Sequence, residues 1–136
     1  MSEGKSPLLN FEAHGKVTVG TINQSSVLSA FNVAEFGVEV LRYINEHPKL
    51  NLLLNFEQVD YLSSAVLTEL LKINRGIESV GGKLRLCAIS PVIQEIFDIT
   101  NLDKVFTIYQ DSCQTGIKRF LRALEIEEQE AAWENG

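Results

Sequence analysis

Two cysteines and two histidines in 136 residues leave little material for metal or redox chemistry. Cys87 and Cys113 stand alone, without the CxxC or Cys/His spacing of a zinc or disulfide-exchange site, and both read as ordinary reduced, partly buried thiols. His14 and His47 fall at expected turns far apart in the pattern, where a solvated ring is the plainer reading than a base or ligand. The chain has no GxGxxG, no Walker loop and no GxSxG elbow, and its acids appear singly on helix faces or in turns, so no carboxylate pair is set up for acid–base work. Lysines and arginines are scattered, which removes the basic stripe that direct nucleic-acid binding needs. Long apolar runs are also missing. No window approaches the roughly 18 residues of a membrane span, and the opening MSEGKSPLLNFEAHGK lacks the apolar core of a signal peptide, so the expectation is a cytoplasmic protein that does not insert into a membrane.

What remains is a chain with 45% hydrophobic residues, enough for one domain with a real core and too short for two. Its net charge of −6 is unevenly placed: residues 125–136, EIEEQEAAWENG, hold five glutamates and no base, while the other 13 acids face 12 bases. The reading is therefore a nearly neutral domain over 1–124 and an acidic tail over 125–136. With no apolar periodicity after Leu124, the tail is expected to be extended or frayed, with Trp133 loosely held.

Along the domain, Leu8–Glu12 and Lys16–Gln24 alternate as strands around the turn Ala13-His14-Gly15. A polar connection, QSSVLSAFN, leads to Asn32, which with Glu35 forms a capping-box pattern for a helix whose stripe is Phe36, Val40, Leu41 and Ile44, ending at His47-Pro48. Leu50–Phe56 is nearly all apolar and suits a central strand. The next helix, after Ser63, buries Val66, Leu70, Ile73, Ile77 and Val80 and stops at Gly81-Gly82. Lys83–Ile89 is a strand, Ser90-Pro91 opens a short helix that runs to about Leu102, Val105–Tyr109 is a last strand, and Asp111 with Gln114 opens a last helix. The order ββαβαβαβα requires crossovers, hence an α/β fold with a mainly parallel sheet behind an N-terminal hairpin.

One stretch stands out. VDYLSSAVL places two hydroxyls where the buried strand gives way to a helix, at a terminus with unpaired N–H groups and a partial positive charge. A serine there can cap the helix, and a phosphate there would be tolerated.

The segment LNFEQVDYLSSAVLTELL resembles the signature of the STAS domain of bacterial anti-sigma factor antagonists, in which an LNL-type strand is followed by Asp-Ser-Ser-Gly and a helix. GGKLRLCAISPVIQEIFDITNLDKVFTIYQD resembles the later half of that fold, so the likeness covers roughly residues 8–124. Aligned without gaps, the motif aspartate falls on Ser63, the phosphorylatable serine on Ser64, the next serine on Ala65 and the glycine on Val66. A one-residue shift would make Ser63 the acceptor instead. The resemblance implies a non-catalytic regulator that binds an anti-sigma factor or serine kinase and is switched by phosphorylation of Ser64. The implied contact set is Asp60, Tyr61, Ser63, Ser64, Thr68 and Gln24, with no cofactor and no metal. A homodimer is compatible with it. The missing Asp and Gly leave an alternative, a STAS subunit of a signalling assembly or transporter complex that is not phosphorylated. A small enzyme with Ser64 as nucleophile is a third reading, but no histidine or lysine is placed as its base.

Overall fold

The computed structural model describes residues 8–23 and 33–135, with side chains as far as Trp133. The strands are β1 (Leu9–His14), β2 (Val17–Ile22), β3 (Asn51–Asn55), β4 (Lys83–Cys87) and β5 (Thr107–Tyr109); the helices are α1 (Val33–Glu46), α2 (Ser64–Ser79), α3 (Pro91–Ile99) and α4 (Cys113–Asn135). The element order is the ββαβαβαβα read from the pattern. The two ends of the last crossover are shorter than expected, because a 3₁₀ turn at Leu102–Lys104 takes up chain before β5.

The strands lie in sequence order, β1-β2-β3-β4-β5. β1 pairs antiparallel with β2 through a turn in which Gly15 has φ 65°, and the remaining three pairings are parallel. Because strand side chains alternate between faces, each parallel strand feeds two cores. Leu52, Leu54, Leu84 and Leu86 pack with Phe36, Val40 and Ile44 of α1, Val66, Leu70, Ile73 and Ile77 of α2, and Ile93 and Phe97 of α3. Val17, Val19, Leu53, Cys87 and Tyr109 instead meet Phe120 and Leu124 of α4. Three helices thus cover one face of the sheet, and the fourth covers the other.

The helix boundaries follow local chemistry. Gly81, at φ 79°, ends α2: its N–H donates to the Glu78 carbonyl at 3.0 Å and that of Gly82 to Ile77 at 2.8 Å, closing the last carbonyls in a Schellman arrangement. Gly82 has a second reason to lack a side chain, since a Cβ there would sit 2.3 Å from the Leu50 carbonyl oxygen. At α3, Ser90 Oγ accepts the Ile93 N–H at 3.3 Å with Pro91 behind it, as the sequence predicts. The capping-box residue Asn32 lies outside the described residues.

Two expectations need correction. Asp111 does not cap α4; Ser112 Oγ accepts the Thr115 N–H at 3.3 Å, and Asp111 pairs with Arg119 at 2.9 Å. The tail is not extended either. α4 continues unbroken to Asn135, although Trp133 is 87% exposed and adds nothing to the core. Glu, Gln and Ala are strong helix formers, and a helix already nucleated by packing at Phe120 and Leu124 extends without a new nucleation cost. Glu128 pairs with Lys16, and Glu127 with Lys83 at 3.1 Å, fixing the helix where it leaves the sheet.

Leu70 is wholly buried between α2 and the sheet, so Leu70→Ala should cost about 2–5 kcal/mol, whereas Lys72→Ala, which loses an exposed pair to Glu69, should cost under about 1 kcal/mol. Gly82→Ala should cost about 1–3 kcal/mol by overpacking against backbone that cannot yield locally. Urea titrations of the three variants check the assignment.

Candidate functional site

The site begins with the way β3 ends. Leu52, Leu53 and Leu54 have no solvent-exposed surface, and the chain then meets Asn55, a polar side chain that is also buried. Burying an amide is tolerable only if its hydrogen bonds are made. Asn55 Nδ2 donates to Thr21 Oγ1 at 3.4 Å on β2, and Oδ1 accepts the Glu57 N–H at 3.0 Å. The first bond ties the end of β3 to its neighbour, and the second turns the chain out of the sheet.

From there the loop to α2 is pegged at regular intervals. Phe56, Val59 and Leu62 are buried, while Glu57, Gln58, Asp60 and Tyr61 face out. The Phe56 N–H donates to the Cys87 carbonyl at 3.0 Å, and the Val59 N–H donates to the Phe56 carbonyl at 2.9 Å, closing a turn. Tyr61 is held outward between buried Val59 and Leu62 and is 64% exposed. At the same end of the sheet, Val92 at the start of α3 is 63% exposed, an apolar side chain that the sequence pattern did not single out.

The two serines divide in character. Ser63 has the extended backbone of an N-cap residue, φ −87° and ψ 162°, yet its side chain accepts no helix N–H. Its Oγ is buried and has no hydrogen-bond partner among the described residues. The cap reading therefore holds for its backbone position and fails for its hydroxyl. Ser64 is the first helical residue and is exposed. No acidic side chain lies in the first turn of α2, so the positive end of the helix is not already neutralised from within. Thr68, four residues on and also exposed, shares the Ser64 face. The structure thus brings Asp60, Tyr61, Ser64 and Thr68 to one exposed helix end with Ser63 half-buried beneath it; Gln24 lies outside the described residues.

Val66, which stands where the resemblance has glycine, is wholly buried against the sheet. Its added bulk goes inward and leaves the Ser64 hydroxyl uncovered.

The same end of the sheet holds a contact that sequence spacing concealed. Cys87, at the end of β4, and Cys113, at the start of α4, are not solitary thiols but share one apolar cluster against α4; both are free. Burial raises the Cys87 pKa far above its ordinary value, and the neighbouring Cys113 raises it further. Cys113 is raised too, chiefly by burial, against a lowering from the neighbouring Cys87. These are protonated structural thiols. Gly116 lets α4 approach this point, since a Cβ there would lie 3.1 Å from that of Cys87. Among the described residues no cluster of His, Cys, Asp or Glu could hold a metal, and no helix is long and apolar enough to cross a membrane.

A family model described as STAS domain matches residues 10–114, and the chain belongs to that family. A Bordetella bronchiseptica protein, BtrV, described as a candidate anti-sigma factor antagonist, is 26% identical over 82 residues, which cover 60% of this chain and 70% of that protein. The fold is similar to that of a candidate anti-sigma factor antagonist from Thermotoga maritima, with a TM-score of 0.73 at 21% identity over 84% of this chain and 95% of the other. It is also similar to the Bacillus cell fate determinant SpoIIAA in its phosphorylated form, with a TM-score of 0.63 at 18% identity over 82% and 97% of the two chains.

The thiol pair makes a pH prediction. In the unfolded chain Cys87 ionises near 9.0, whereas the folded protein keeps it protonated. Above that pH the unfolded state binds fewer protons than the native state, so stability falls as pH rises; below it the contribution is constant. Urea midpoints measured from pH 7 to 10.5 should fall more steeply for wild type than for Cys87→Ala. Parallel curves would show that Cys87 ionises equally in both states.

Proposed function

We propose that this STAS domain is a non-catalytic regulator of the anti-sigma factor antagonist type, switched by phosphorylation of Ser64. Its partner is an anti-sigma factor with serine kinase activity, which it meets in the cytoplasm. The observation that carries the reading is the contrast between the serines: Ser64 Oγ stands on an exposed first helical residue, while Ser63 Oγ is buried. A kinase must bring the acceptor oxygen in line with a γ-phosphate, which requires access from solvent. Access favours Ser64 as the acceptor over Ser63.

The partner surface is Asp60, Tyr61, Ser63, Ser64 and Thr68. Tyr61 suits an anchor role, because a large side chain already held outward loses little freedom on burial, and tyrosine is enriched among residues that dominate binding energy. Phosphorylation would add about −1.5 to −2 charges and three acceptor oxygens at a helix end whose free N–H groups can receive them, so the fold would survive. A partner surface matched to a neutral hydroxyl would instead have to bury a dianion, which is strongly unfavourable without compensating charge. The switch therefore acts on binding and leaves folding intact.

The serine at the place of the motif aspartate, Ser63, favours a second reading, a STAS subunit that binds through the same surface without phosphorylation. The experiment that separates the two is incubation with a cognate kinase and ATP, followed by intact-mass analysis and binding measurements. Ser64→Glu should weaken binding by about tenfold or more with little change in stability; Ser64→Ala should retain binding and acquire no phosphate. Equal affinity for wild type and Ser64→Glu, with no phosphate on wild type, would leave the subunit reading. Phosphate on Ser63 would keep the mechanism and move the acceptor by one residue.

A further inference from the structure

The outer side of α4, turned away from buried Gly116, Phe120 and Leu124, carries an exposed seam that, among the described residues, is touched only at its start, where Asp111 and Tyr109 hold Arg119. Arg119, Arg122, Ile126, Gln129 and Trp133 recur at steps of three and four, the spacing that aligns side chains along one helix face. Charge is segregated along the same helix. Between Cys113 and Leu124 there are three bases and no acid; from Glu125 to Asn135 there are five acids and no base. Lys118, Arg122, Glu125 and Glu130 are exposed and form no ion pair among the described residues.

The acidic half is poorly placed when alone. Glu125 faces Glu128 and Glu127 faces Glu130 at three-residue spacing, a like-charge arrangement that destabilises a helix. The cluster also lies toward the helix C-terminus, where the macrodipole disfavours anions. Among the described residues, Lys16 and Lys83 offset only Glu128 and Glu127.

We infer that the occupant of this seam is the α4 helix of a second copy of this chain, running antiparallel and centred on Ile126. Reversal about Ile126 is self-complementary. Ile126 meets its counterpart once, on the axis, while Arg122 meets the partner's Glu130 and Arg119 reaches the partner's Trp133, each of these two contacts occurring twice across the two-fold axis. Arg119 already lies 5.1 Å from the centre of the Tyr109 ring, so its guanidinium is held at an aromatic face before any partner arrives. A parallel pairing would place acid on acid and base on base.

The test is a charge swap read by sedimentation equilibrium and by the emission of Trp133, the only tryptophan. Wild type at tens of micromolar should be a dimer in low salt, weaken as salt rises, and shift its emission to the blue as it assembles. Arg122→Glu and Glu130→Arg alone should each weaken the dimer by about tenfold or more. An equimolar mixture of the two variants should form a heterodimer, and Arg122→Glu/Glu130→Arg should regain the homodimer, because opposite charges then face each other again. A monomer at all concentrations would overturn the proposal. So would a dimer indifferent to both single reversals, or singles whose loss neither the mixture nor the double variant repairs.

Discussion

The strand β3 has no solvent face, and the rest of the molecule is arranged around that constraint. Leu53 points to α4, and Leu52 and Leu54 point to α1, α2 and α3; each contributes about 1.5–3 kcal/mol by leaving water. A strand buried on both sides must be flanked by strands at both edges and covered by helices on both faces, which accounts for the crossovers and for the return of α4 over the opposite face. It must also end abruptly, because the chain can reach the surface only by leaving the sheet. Asn55 is the residue at which that happens, with its carboxamide oxygen holding the turn and its nitrogen holding the neighbouring strand.

The phase of the following loop then decides which hydroxyl faces solvent. Phe56, Val59 and Leu62 occupy the core side, so the helix starts with Ser63 turned partly inward and Ser64 outward. The proposed partner surface therefore depends on buried residues that no partner would touch. On that proposal, substitutions at Val59 or Leu62 would reach binding through the orientation of Tyr61 and Ser64, whereas those at Asp60 or Thr68 would act at the surface itself.

Much of this could be read from the sequence because it depends on neighbours along the chain. The strand and helix order, the α2 stripe, the stop at Gly81-Gly82 and the cap at Ser90-Pro91 all arise from local periodicity or local hydrogen bonds. The set Asp60, Tyr61, Ser64 and Thr68 came instead from the resemblance to the STAS motif, and the structure shows only that all four side chains are exposed. The failures have different physical origins. Asp111 and Ser112 are both competent caps, and the choice was made by Arg119, eight residues away, which engages the aspartate. The tail lacks an apolar stripe, yet it continues a helix nucleated by Phe120 and Leu124, so propensity was enough there. The meeting of Cys87 with Cys113 depends on β4 and α4 ending side by side, which spacing along the chain does not express.

If both proposals hold, the two ends of the sheet carry different tasks, and the direction of α4 keeps them apart. The helix starts beside Cys87, at the end where Ser64 stands, and runs back past Lys83 and Lys16 at the opposite end. In an antiparallel pair centred on Ile126, each α4 start lies thirteen residues from the axis, about 20 Å at the helical rise, so the two α4 starts, at the sheet ends where Ser64 stands, would lie about 40 Å apart on opposite sides of the axis. A phosphate on one copy would then meet neither the seam nor the other copy's serine, since charges separated by several Debye lengths are screened. Such a pair would switch each site independently while presenting two of them together, and any gain in avidity would require a partner that is itself bivalent.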